Sequence, residues 1–150
     1  MRTLLFIIVI GLLSFKKDTT RDRLPLLFFQ VNSTSYADFY EPFVTPNDTI
    51  DILAYVKYVL EKTPTMTIQV VGHADFSEPN KQDLSLRRAK KVCLDIIKLG
   101  INSNRITTIG DADTKPRVTE MEQKKCGSDK ECSDALKVRN RYVFFVVTHG

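Results

Sequence analysis

The apolar positions of the chain follow two different periods. Two stretches repeat at steps of three and four residues, which predicts amphipathic helices; they run from Ile50 to Leu60 and from Leu84 to Ile97. Shorter stretches rich in β-branched and aromatic residues favour strands. These cover residues 23–31, 66–71, 105–109 and 142–147.

The order of these elements predicts the fold class. A short helical piece near Ala135 to Arg139 precedes the last strand, Thr45 or Asn47 is a candidate N-cap of the first helix, and Gly100 suits the left-handed end of the second. We predict an α+β fold of the order βαβαβ-(α)-β. Its four-stranded mixed sheet carries two main helices of about 16 residues each on one face.

The first residues read as a targeting segment. Arg2 precedes an apolar run from Leu4 to Leu13, which is short for a membrane span of about 20 residues but typical of a secretory signal peptide. Because no small-x-small triplet precedes Lys16, a short uncleaved signal anchor stays an alternative. We predict a signal segment, a linker and one domain, at residues 1–15, 16–22 and 23–150.

Composition and charge narrow the function classes. A chain of 150 residues that is 43% hydrophobic has room for one domain with a real core. Its net charge of +4 is modest, and the basic residues are dispersed among acidic ones. The basic cluster from Arg87 to Lys91 has acidic neighbours on both sides, which favours a solvated helix face over a phosphate-binding patch. We expect no nucleic-acid partner.

The three cysteines fit an exported protein. Cys126 and Cys132 lie close together in a polar segment, a spacing that can close a small disulfide loop in an oxidising compartment. No paired histidines or second cysteine pair accompany them, so we predict no metal and no cofactor. Cys93, between Val92 and Leu94 on an apolar helix face, is predicted to be a buried thiol.

One motif spans the junction between the second strand and the second helix. It reads Gly72-His73-Ala74-Asp75 and, after a loop, Leu-Ser-Leu-Arg-Arg-Ala-Lys-Lys-Val from Leu84 to Val92. Further matches follow in order at Gly100-Ile101, Arg105-Ile106, Gly110, Pro116 and Asn140-Arg141. In this order the motifs resemble the OmpA-like peptidoglycan-binding domain family, over roughly residues 25–148.

The resemblance implies non-covalent binding of peptidoglycan, without catalysis, by a protein of the periplasm associated with the cell wall or the outer membrane. Other envelope proteins are possible further partners. The implied ligand is the diaminopimelate of the stem peptide, which carries an ammonium and a carboxylate on one carbon. Asp75 would accept from the ammonium, and Arg88 would grip the carboxylate with two donors. Ala74, Asn140 and Arg141 complete the implied site.

Two expectations about the geometry of this site follow. Both charged side chains are expected to be at least partly exposed. If Ser85 is the N-cap, Arg88 is the third helical residue, and the positive helix end adds to the attraction for a carboxylate.

Several alternatives stay open. Asp75 and Arg88 can form a plain surface ion pair, worth about 0–1 kcal/mol. Asn140 and Arg141 can form a structural loop clamp instead of lining a pocket. The domain can be a protein-interaction module that no longer binds the wall. A cell-wall hydrolase is the remaining class, but the two histidines do not supply a metal triad or an activated nucleophile.

Overall fold

The computed structural model describes residues 24–38 and 51–150. The predicted signal segment at residues 1–15, the linker at 16–22 and the candidate helix caps Thr45 and Asn47 lie outside the described residues.

A four-stranded mixed sheet forms the centre of the domain, as predicted. Its spatial order is β1-β4-β2-β3. β4 runs antiparallel to both β1 and β2, whereas β2 and β3 are parallel. The strands are Leu27–Phe28, Thr67–Gly72, Ile106–Gly110 and Tyr142–His149 for β1 to β4.

Four α-helices accompany the sheet within the described ranges. They are α1 Ile52–Lys62, α2 Lys81–Lys98, α3 Glu120–Lys124 and α4 Lys130–Val138. The two main helices are 11 and 18 residues long, so the expected equal length of about 16 residues was wrong. Across the described ranges, no helix combines the length and apolar character needed to cross a membrane.

The helix ends explain these lengths. Asp51 caps α1, because its carboxylate accepts from the backbone N–H groups of Leu53 at 2.7 Å and Ala54 at 3.2 Å. α2 begins after Asn80, not at Ser85, which lies buried inside the helix. The expected cap at Ser85 was therefore wrong. Gly100, with φ +100°, ends α2 in the left-handed conformation, as predicted.

Two further predictions differ from the structure. The first strand shrinks to Leu27–Phe28 because the chain turns at Asn32, where φ is +50°, and Phe29 then bridges back to Tyr36. The helical piece expected near Ala135 to Arg139 begins earlier, at Lys130. The short helix α3 was not predicted.

The core lies between one face of the sheet and the helices α1 and α2. Its fully buried members come from both helices and from the strands: Val56, Leu60, Val70, Ala89, Val92, Ile96 and Val143. A smaller cluster of Phe28, Tyr142 and Val138 packs on the opposite face, because neighbouring strand residues point to opposite sides. The main helices therefore share one face, and Val138 of α4 packs against the other.

Two glycines allow α2 to approach the sheet closely. Gly72 and Gly110 pair in register at the ends of β2 and β3. A Cβ atom on Gly72 would lie 1.9 Å from the Ser85 carbonyl oxygen, and one on Gly110 would lie 2.6 Å from the Ser85 hydroxyl. This close contact fixes α2 directly over the ends of the two parallel strands.

The disulfide agrees with its prediction, whereas Cys93 is less buried than expected. Cys126 and Cys132 form a disulfide that joins the end of α3 to α4. Cys93 is free and half-buried beside the main core, and burial raises the pKa of its thiol.

Candidate functional site

The five predicted site residues lie where β2 ends, where α2 passes over it and where β4 begins. Asp75, Arg88, Ala74 and Asn140 are completely buried, and Arg141 is 8% exposed. The expectation that the two charged side chains are partly exposed was therefore wrong.

The Asp75 carboxylate is fully hydrogen-bonded within the chain. Its Oδ1 accepts from the backbone N–H of Ser77 at 3.0 Å and from the Ser77 hydroxyl at 2.5 Å. Its Oδ2 accepts from Gln123 Nε2 at 2.8 Å and from Asn140 Nδ2 at 3.0 Å. These four bonds account for the four acceptor positions of a carboxylate.

These bonds also keep Asp75 negatively charged. Burial works to raise the pKa of Asp75, but the hydrogen bonds from Ser77, Gln123 and Asn140 outweigh it, so that the pKa lies below its ordinary value. The site therefore holds a fixed anion at neutral pH.

Asn140 connects three parts of the chain. Beside its bond to Asp75, its Nδ2 donates to the Val118 carbonyl at 2.7 Å. Its Oδ1 accepts from the backbone N–H groups of Arg117 at 2.9 Å and Val118 at 2.8 Å. This arrangement is a loop clamp that at the same time orients the Asp75 carboxylate.

Ala74 and Arg141 hold the surrounding backbone. The N–H of Ala74 donates to the Ala112 carbonyl at 2.7 Å. Arg141 Nε donates to the Phe29 carbonyl at 3.1 Å. Burial lowers the pKa of Arg141, while the negative charges of Glu78 and Asp75 oppose that shift.

The Arg88 guanidinium uses all five of its N–H groups inside the protein. Three of them donate to backbone carbonyls: those of Ser33 at 3.0 Å, His73 at 3.2 Å and Gln30 at 3.0 Å. The other two form a bidentate pair with the Glu78 carboxylate, at 2.7 Å and 2.8 Å. Arg88 therefore joins the segment after β1, the end of β2 and the following loop to α2.

Glu78 is a central residue of this site, and sequence reasoning missed it. Besides the pair with Arg88, its Oε1 accepts from the Asn32 N–H at 2.7 Å and its Oε2 from the Asp75 N–H at 3.0 Å. Its side chain is completely buried. The sequence alone did not indicate this pairing, because Arg88 was expected to be partly exposed. Once Arg88 is known to be buried, it requires a carboxylate partner, and Glu78 is the acidic residue of the loop between Asp75 and α2.

Three expectations about Arg88 are corrected by this geometry. Its ion pair is buried and made with Glu78, so the surface pair with Asp75 was the wrong alternative. Since α2 begins at Lys81, Arg88 lies about two turns into the helix, away from its N-terminus. Finally, Arg88 does not belong to the solvated face expected for residues 87–91.

His73 is held as a neutral ring. Its Nδ1 lies 2.8 Å from the Asn140 carbonyl, and its Nε2 accepts from the Lys115 N–H at 3.1 Å. This pattern assigns the proton to Nδ1. Burial lowers the pKa of His73, with smaller opposing contributions from Asn140 and nearby aspartates. Both ring nitrogens therefore serve backbone contacts, a structural role.

A shallow cavity of about 250 Å³ lies beside Asp75, lined by residues of the following loop and of α3 and α4. Ser77 and Gln123, which both contact Asp75, form part of its wall, together with Lys124 and Lys137. Within the part of the chain that the structure describes, Gln123 Oε1 is buried without a hydrogen-bond partner. Ser77 and Gln123 thus stand between this cavity and the buried Asp75 carboxylate.

These features define an α+β domain with a buried charged site at a strand–helix junction. The sequence profile of the OmpA family matches residues 41–126, more than half of the chain. The chain therefore belongs to the OmpA family.

A curated relative agrees with this assignment. Outer membrane porin F of Pseudomonas fluorescens is 32% identical over 81 residues, which are 53% of this chain and 24% of porin F. The matched region thus spans about a quarter of that relative.

Solved structures share the fold at low sequence identity. The peptidoglycan-associated lipoprotein from Burkholderia pseudomallei has a TM-score of 0.61 at 19% identity, covering 83% of this chain and 90% of its own. The periplasmic domain of Helicobacter pylori MotB has a TM-score of 0.53 at 19% identity, and the match covers 81% of this chain and 71% of the MotB chain. The cell wall anchor of the T6SS from Pseudomonas aeruginosa has a TM-score of 0.53 at 24% identity, and the match covers 81% of this chain and 75% of the anchor chain.

Proposed function

We propose that this domain binds peptidoglycan non-covalently and thereby anchors an envelope component to the cell wall, without catalysing a reaction. The observation that carries the proposal is membership of the OmpA family, whose profile match includes Ala74, Asp75 and Arg88 of the site, while Asn140 and Arg141 follow the matched residues. Two solved proteins of the same fold support it, since their names state association with peptidoglycan or the cell wall. The proposed location is the periplasm, at the wall or the outer membrane.

The finer proposal concerns the ligand group. The ammonium of diaminopimelate would donate to Asp75, reached through the cavity beside Ser77 and Gln123. The adjacent carboxylate would accept from Arg88, which already holds one carboxylate in a bidentate pair. Asn140 would orient Asp75, while Ala74 and Arg141 would support the backbone around the site.

A pull-down on purified sacculi tests the coarse proposal. The folded protein is expected in the pellet, and no soluble muropeptides are expected in the supernatant after prolonged incubation. Protein that stays in the supernatant contradicts wall binding, and sustained release of muropeptides contradicts a purely binding role.

Competition with free ligands tests the finer proposal in the unmodified chain. Diaminopimelate is expected to displace the protein from sacculi, whereas lysine, which lacks the second carboxylate, is not. Equal competition by lysine contradicts the assignment of Arg88 to a carboxylate.

A variant tests the role of the anion. Asp75→Asn removes the negative charge and is expected to weaken pelleting. Asp83→Asn is the matched control, because Asp83 is an exposed aspartate of α2.

A second candidate function is favoured by one specific observation. All five donors of Arg88 and all four acceptor positions of Asp75 are filled within the chain. A site closed in this way fits a protein-interaction module of an envelope complex. Under this candidate the folded protein stays in the supernatant with sacculi and pellets only together with an envelope protein.

A further inference from the structure

The Glu78 carboxylate lies in a complete receptor for a carboxylate. Four N–H groups converge on it: two from the Arg88 guanidinium and one each from the backbone of Asn32 and Asp75. Each oxygen receives one charged and one neutral donor, at distances between 2.7 and 3.0 Å. This is the donor set that a protein uses to bind the carboxylate of a ligand.

We propose that Glu78 is the specificity-determining residue of the site, because it occupies the carboxylate subsite from within the chain. A ligand carboxylate reaches Arg88 only when Glu78 leaves. The occupation of the carboxylate subsite by Glu78 rests on this geometry alone. Its consequence for wall binding rests on the function proposed above.

Charge balance supports this assignment. With Glu78 in place, the four buried charges of the site balance, because Asp75 and Glu78 are anions and Arg88 and Arg141 are cations. Removal of Glu78 leaves the site with one excess positive charge. A ligand carboxylate in the same place would neutralise that charge.

Competition between the two carboxylates is unequal. They would make the same four hydrogen bonds, but a free ligand also loses translational and rotational freedom, which Glu78, tethered three residues after Asp75, does not. The receptor is thus open in only a small fraction of molecules, and the apparent Kd of a carboxylate ligand is raised by the inverse of that fraction.

Acetate is the probe for the receptor itself. In Glu78→Ala the four donors remain and the carboxylate is gone, so acetate is expected to bind there and raise Tm. At about a tenfold excess of acetate over its Kd, the expected increase is about 4 °C relative to chloride at equal ionic strength. The wild type and Asp83→Ala, which frees only the exposed Arg87, are expected to show no difference between the two salts.

Sacculi measure the consequence for the wall. Glu78→Ala is expected to bind sacculi at least about tenfold more tightly than the wild type. This factor follows because the receptor is expected to be open in fewer than about one wild-type molecule in ten. Glu78→Gln keeps the side-chain volume and removes the charge, and it also is expected to bind more tightly. It supplies the comparison if the alanine variant does not fold.

The outcomes separate the two proposals. If acetate neither raises the Tm of Glu78→Ala nor restores its folding, the self-occupied receptor is refuted whatever the sacculi show. The proposal is also refuted if the wild type binds sacculi and Glu78→Gln, although folded, binds them no more tightly. If acetate stabilises the alanine variant but no form of the protein pellets with sacculi, the receptor stands and the wall-binding function falls.

Discussion

Replacing Arg88 by methionine tests how much of the domain depends on the buried ion pair. The change leaves the Glu78 carboxylate buried without its cation and frees the backbone carbonyls of Gln30, Ser33 and His73. Removing one partner of a buried pair typically costs about 3–5 kcal/mol. Against a total unfolding free energy of about 5–15 kcal/mol for a domain, Arg88→Met is expected to lose a large part of its stability.

Urea unfolding followed by circular dichroism measures this loss, and the neighbouring residue provides the control. Arg87 pairs with Asp83 at 2.8 Å, but its side chain is 55% exposed, so Arg87→Met is expected to cost at most about 0.5 kcal/mol. Arg88→Lys keeps the charge but supplies three donors in place of five, and it is expected to lie between the two. A free energy of unfolding for Arg88→Met within about 1 kcal/mol of the wild type would refute the argument.

Three further predictions concern stability. Gly72→Ala is expected to cost about 3 kcal/mol or more, because its Cβ would meet the Ser85 carbonyl oxygen at 1.9 Å; a wild-type unfolding midpoint contradicts this. Replacing Cys126 and Cys132 by alanine is expected to cost about 2 kcal/mol, since the closed loop is short; calorimetry of the variant and of the oxidised wild type checks it. The pKa of His73 is lowered by folding, so its stabilising contribution is complete above about pH 6.5 and is lost as the pH falls below that value. Unfolding midpoints between about pH 7 and pH 5.5 should therefore fall less in His73→Asn than in the wild type.

The parts of the fold that were predictable are those with a strong local pattern. β2 and α2 carry clear periodicity, and the motif from Gly72 to Val92 fixes how they are joined. The disulfide was predicted from the spacing of its cysteines in a chain expected to be exported. α3 was within reach, because Thr119 and Glu122 form a capping box, a signal readable in the sequence.

The burial and the hydrogen-bond partners of the site residues were not predictable from local patterns. Arg88 is buried by contacts with residues 30, 33, 73 and 78, which lie on three separate segments. The turn that brings the Asn32 N–H to Glu78 bridges 46 residues of sequence. Local periodicity contains no information on such distant pairings, so the motif identified Arg88 without revealing that its donors are already used.

The strand order has a consequence for when the domain can form during synthesis. β4 is the last strand in sequence, yet it lies between β1 and β2 in the sheet. Until residues 142–149 are available, β1 has no neighbour, and Asn140 cannot reach Asp75. Such non-local topology folds slowly, on a timescale set by closing long loops. The nascent chain therefore remains without its complete central sheet until β4 has been made.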